Sequence, residues 1–112
     1  LPPVPKGLRA EEGGEGPGWR WRQTAVDITA RLSIGAAVKG RDVDFKVGVR
    51  TLRLGVKGQA EPRLEGRLAG ELKDVEDAIF EIEGAGPDRC AVATLDKRRP
   101  GMWPGLWEGG GD

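Results

Sequence analysis

The sequence predicts an all-β chain, a compact antiparallel β-sandwich of seven to eight short strands. Apolar and polar residues alternate in several short runs, the period of a half-buried strand and not of a helix. Turn-forming Gly, Pro and Asp residues separate these runs at close spacing. Crossover helices, which a parallel sheet would need, have no counterpart.

The elements follow in order. Trp19 and Trp21 alternate with Arg20 and Arg22, so both rings share one face. Core packing is expected for Trp21, with Trp19 at the rim. Then Val26, Ile28, Ala30, Leu32 and Ile34 alternate with Asp27, Thr29, Arg31 and Ser33, which predicts a strand over roughly residues 24–32. Residues 35–40 read as a turn. Val43, Phe45, Val47 and Val49 mark the next strand, and Leu52, Leu54 and Val56 the one after it. The inward parity switches between Val49 and Leu52, so a hairpin turn is expected at Arg50-Thr51. Lys57-Gly58 closes that strand, and residues 59–63 read as a loop. Leu64, Leu68 and Leu72 are spaced like a helix, but Gly66 and Gly70 between them do not suit one. A strand with Leu68 and Leu72 inward is expected instead. Ala78, Phe80 and Ile82 suggest another after a turn at residues 74–77. The last runs over residues 90–95, after a turn at residues 84–88.

A chain of 112 residues is one domain plus tails. Eighteen basic and eighteen acidic residues give a net charge of zero, so no one-signed field draws in nucleic acid or an anionic membrane. Apolar residues make up 38%, and no run of about 18 is long enough for a membrane span. No signal-peptide pattern is visible, and a start at Leu1 suggests a piece of a longer protein. Residues 1–18, rich in Gly, Pro and Glu, read as a flexible tail. The domain is expected at residues 19–108, and residues 109–112 as a disordered end. The lone Cys90 favours a reducing compartment, cytosol or nucleus, and reads as a small buried hydrophobe. Histidine is absent, which removes the commonest general base and zinc ligand. No catalytic, cofactor or metal residues are therefore assigned.

Gly13-Gly14-Glu15-Gly16 has no strand before it and no Gly-Lys-Ser/Thr after it, so it is not a phosphate loop. The carboxylates Glu71, Asp74, Glu76, Asp77, Glu81 and Glu83 read as solvated positions that keep strand edges from aggregating. Lys97-Arg98-Arg99 precedes Met102, Trp103 and Trp107. Basic residues beside aromatics suit nucleic acid, but three charges on a neutral domain are weak support. Burial is favoured for Trp103. For Trp107, partner contact and burial compete.

Five markers come in order: Trp19-Arg20-Trp21-Arg22-Gln23-Thr24, Lys39-Gly40-Arg41-Asp42-Val43, Leu52-Arg53-Leu54-Gly55-Val56-Lys57-Gly58, Leu64-Glu65-Gly66-Arg67-Leu68, and Leu95-Asp96-Lys97 with Met102-Trp103. This series resembles the CS domain, the p23-like (HSP20-like) fold, in its nuclear distribution protein C (NudC) branch. Trp19, Met102-Trp103 and Phe80 replace residues usual in that pattern while keeping bulk. The resemblance implies a non-enzymatic co-chaperone or client-stabilising domain without cofactor, acting with client proteins and Hsp90-type chaperones and in dynein and nuclear-migration pathways. Candidate protein contacts are Lys57, Lys97, Arg98, Arg99, Trp103 and Trp107; Trp21, Gln23, Gly58, Gly66 and Leu68 are expected to be structural. The rivals are a small heat-shock-type holdase, which would carry an Ile-x-Ile tail not seen here, and a basic-aromatic nucleic-acid binder.

Overall fold

In the computed structural model, residues 12–60 and 62–108 are described. Among these described residues eight strands run in chain order: β1 (Glu12–Gly16), β2 (Trp19–Gln23), β3 (Asp27–Ser33), β4 (Val43–Val47), β5 (Thr51–Val56), β6 (Arg63–Arg67), β7 (Phe80–Glu83) and β8 (Cys90–Asp96). They form a five-stranded sheet, order β1-β2-β3-β8-β7, and a three-stranded sheet, order β4-β5-β6. Every pairing is antiparallel. The all-β antiparallel architecture is the one the alternating runs predict.

The core lies between the sheets. From the larger sheet come Ile28, Ala30, Leu32, Ala91, Ala93 and Leu95, and from the smaller Leu52, Leu54, Val56 and Leu64. In the β3–β8 register Ala30 stands opposite Ala93 and Leu32 opposite Ala91, so small side chains at the sheet centre make room for the facing leucines. Phe45 and Phe80 meet edge to face, ring centres 5.4 Å apart, where the two sheets approach each other.

Several elements depart from the sequence reading. Val26, placed in the first strand, lies in a turn and is 57% exposed. Thr24 caps that turn: its hydroxyl bonds the Asp27 carboxylate at 2.8 Å, and its N–H donates to the Asp27 carbonyl at 2.9 Å. The chain thus reverses between β2 and β3, and the inward parity changes from Trp21 and Gln23 to Ile28 and Ala30. The β4–β5 turn sits one residue earlier than expected, at Val49-Arg50, closed by the Gly48 N–H donating to the Thr51 carbonyl at 3.0 Å. Val49 is therefore exposed. Leu68 and Leu72 point inward as expected, but β6 ends at Arg67 and the two lie beyond it, in isolated bridges to Trp107 and Lys97.

β1 is the largest departure, because Glu12–Gly16 fall in the stretch read as a tail. Residues 1–11 and 109–112 of the two expected ends lie outside the described residues. β1 pairs with β2 along its whole length, with Gly14 opposite Trp21 and Gly16 opposite Trp19. A Cβ at Gly16 would overlap the Trp19 ring, and one at Gly14 would come within 3.1 Å of the Trp21 indole nitrogen. Bare glycine backbone lets the two rings cover this edge strand, so the side-chain burial comes from β2.

The same device recurs at the other end of the chain. A Cβ at Gly70 would overlap the Trp103 ring, and one at Gly66 would sit 3.1 Å from the Trp107 ring. Each of the four tryptophans thus lies against a glycine. Gly55 has a polar counterpart. It stands between Asp44 and Arg63 in adjacent strands, and Arg63 passes over it to reach the Asp44 carboxylate at 3.1 Å.

Candidate functional site

After β8 the chain turns across one end of the sandwich and is fixed to both sheets. The Arg98 N–H donates to the Glu71 carbonyl at 2.9 Å, and the Gly101 N–H to the Ala25 carbonyl at 2.7 Å. The Ala69 N–H donates to the Leu106 carbonyl at 2.9 Å, and Trp107 bridges to Leu68. Leu106 is 2% exposed and belongs to the core. This strap, residues 97–107, closes the open end between β2 and the extension of β6.

Gln23 is its anchor. Its Nε2 donates to the Trp103 carbonyl at 2.8 Å, and its Oε1 accepts from the Trp103 N–H at 2.8 Å. That oxygen also accepts from the Lys97 ammonium at 2.7 Å. Lys97 donates further to the Thr24 and Gly101 carbonyls, both at 2.6 Å, and its Nζ lies 5.3 Å from the Trp103 ring centre. An ammonium carries three donors, and three oxygens converge here to match them. Such charge-assisted bonds offset the desolvation of a lysine that is only 3% exposed.

The site residues expected from sequence are therefore divided. Lys97 is turned inward and holds the strap, so it presents no cation to a partner. Trp103 is half-buried, its ring laid on Gly70, and Trp107 is half-buried on Gly66. Arg98 and Arg99 are exposed. Lys57 is exposed too, in the turn after β5, and does not join the others. Trp21 and Leu68 are buried in the core, and Gly58 adopts φ +81° in that same turn, where a side chain would be strained.

The strap also forms one wall of an open groove of about 410 Å³. Arg98, Arg99, Met102 and Trp103 line it from the strap, and Arg50 and Glu71 from the opposite side. Met102 is 39% exposed there. Arg98 and Glu71 approach to 3.6 Å, an exposed pair of little strength. Arg50 reaches the Ala69 carbonyl only at 3.5 Å, and its buried Nε–H has no hydrogen-bond partner among the described residues. Sequence reasoning missed Arg50, because an arginine at a hairpin tip looks like any solvated turn residue.

Elsewhere the charged groups serve the fold. Asp44 is gripped by Arg63 and Arg53, each at 3.1 Å. The hydrogen bond from Arg63, helped by the charges of both arginines, holds the Asp44 carboxyl below its ordinary value against the opposing effect of burial. Arg89 donates to the carbonyls of Gly35, Ala36 and Val38 and pins the loop after β3. Glu71, Asp74, Glu76, Asp77, Glu81 and Glu83 are exposed. Among the described residues no three His, Cys, Asp or Glu side chains converge as a metal site, and no helix is long and apolar enough to cross a membrane.

Comparison with solved structures identifies the fold. The CS domain of the human KIAA1068 protein superposes with a TM-score of 0.69 at 22% identity, covering 87% of this chain and 77% of that one. The nuclear movement protein of E. cuniculi superposes with a TM-score of 0.63 at 18% identity, covering 81% and 99%. The two-sheet antiparallel sandwich described above is thus the fold of a CS domain. In sequence, the chain is similar to the nuclear migration protein nudC of Drosophila melanogaster, 26% identical over 87 residues. That match covers 76% of this chain and only 25% of the longer protein. No family model matches the chain. Fold and sequence likeness agree with the resemblance carried by the five ordered motifs.

Proposed function

We propose that this chain is a non-enzymatic protein-binding module of NudC type, a co-chaperone or client-stabilising domain. It works in the cytoplasm, with client proteins and an Hsp90-type chaperone, in dynein-linked nuclear migration. The observation that carries this reading is the open groove of mixed basic and apolar character, built by the strap on a CS-type sandwich. A groove with exposed arginines, a methionine and a tryptophan edge has the composition of a protein contact, where aromatic, Met and Arg side chains are enriched. Likeness to a nuclear migration protein supports the pathway. The nucleic-acid alternative is weakened by the inward turn of Lys97, which leaves two exposed cations of its basic triplet.

Two measurements test the proposal together. Light scattering of a heated client protein should fall when the chain is added in equimolar amount, and purified Hsp90 should bind it in calorimetry. Undiminished scattering combined with absence of Hsp90 binding overturns the proposal.

A further inference from the structure

We propose that the groove between Arg50 and the strap binds an acidic segment of a partner protein, with an apolar side chain laid against Met102 and Trp103. The inference rests on the reading of this chain as a binding module and gives the partner's chemistry.

Charge is the first argument. The chain as a whole is neutral, yet the groove gathers three arginines, Arg50, Arg98 and Arg99, against the single carboxylate of Glu71. Local excess of one sign on a neutral molecule selects its opposite at short range and gives little long-range steering. Arg50 is the second argument. Its guanidinium lines the groove, its hydrogen bond to the Ala69 carbonyl is a long 3.5 Å and its Nε–H is buried without an acceptor among the described residues, so this cation is weakly compensated and gains from a carboxylate in the groove. Guanidinium groups bind carboxylates through paired N–H donors, so a glutamate or aspartate side chain is the natural occupant. Thirdly, the groove is not uniformly polar. Met102 is 39% exposed and the Trp103 ring edge lines the same space, which suits an aliphatic side chain between acidic ones. A nucleic-acid strand fits less well. Its backbone needs cations along a track, whereas these three are gathered around one short groove of about 410 Å³ with Glu71 in the wall.

The probe is a blocked peptide with glutamates flanking one central leucine, titrated into the isotope-labelled chain and followed by NMR. The Arg50 Nε–H and Trp103 indole N–H resonances should move together, and Arg50→Gln should weaken binding about tenfold. Thermal melting checks that this variant is folded; the exposed Arg99→Gln, which does not threaten the fold, should weaken binding several-fold as well. A glutamine-for-glutamate version of the peptide should not bind. Equal binding of that neutral peptide, shifts confined to another face, or displacement of the acidic peptide by an oligouridine at equal concentration each overturns the inference. Should the peptide fail while Hsp90 still binds the wild-type chain and Arg50→Gln alike, the acidic occupant is wrong and the binding-module reading stands.

Discussion

Gln23 uses both ends of its amide on Trp103 and shares its oxygen with Lys97. Replacement by alanine would leave the Trp103 N–H and carbonyl and a buried ammonium short of partners. Gln23→Ala should therefore destabilise the chain by about 3 kcal/mol, measured by denaturant unfolding. A loss below about 1 kcal/mol, the worth of one ordinary hydrogen bond, would show that the strap is held by other contacts. Asp44 predicts a pH effect. Because Arg63 and Arg53 lower its pKa in the folded state, its contribution to stability is present above the unfolded-state value. It is lost as pH falls through the lower folded value. Asp44→Asn should flatten the acid side of the melting-temperature profile; an unchanged slope would contradict this. Trp21 could be placed from sequence because alternation alone gives its face. The burial of Lys97 could not, since lysine reads as surface and its acceptors come from residues 23, 24 and 101.

At the level of elements, alternating runs announced β3 and β5, and an apolar run after a clear turn announced β8; the inward positions of all three are buried. β1 was hidden because Gly13, Gly14 and Gly16 carry no side-chain period, and its cover comes from tryptophans on the neighbouring strand. Gly16→Val should push Trp19 off the edge and cost about 1–3 kcal/mol. Hydrogen exchange should then show fast amides in β1 while β3 and β8 stay protected. Uniform acceleration would mean that β1 is as central as the core strands. Leu68 tests the opposite end of the range. It is fully buried and its N–H donates to the Arg50 carbonyl at 2.7 Å, closing the register just past β6. Leu68→Pro removes that donor and the side chain together, at a cost of about 3 kcal/mol or more. Calorimetry should show the melting temperature falling by roughly 12 °C or more; an unshifted transition would refute the packing described here.

For the whole molecule, the two sheets are joined by the strap as well as by side chains meeting in the core. Leu106 completes that core, Trp107 bridges to Leu68, and Gln23 ties in Trp103. Removal of residues 101–112 takes away all three and one acceptor of Lys97. The shortened chain should lose its cooperative transition and bind a dye for exposed apolar surface; a sharp unfolding curve would show that the sheets close without the strap. The sandwich itself was legible because strand period and turn spacing are local signals. The groove was not, since it needs Arg50 and Arg99 brought together from hairpin and strap, a juxtaposition no local pattern encodes. One wall of that groove is the strap that also closes the fold, so occupancy and folding are thermodynamically linked. A partner present at about a hundred times its dissociation constant adds roughly 2.7 kcal/mol to stability by mass action. Differential scanning fluorimetry can therefore rank candidate partners by the upward displacement of the unfolding midpoint alone.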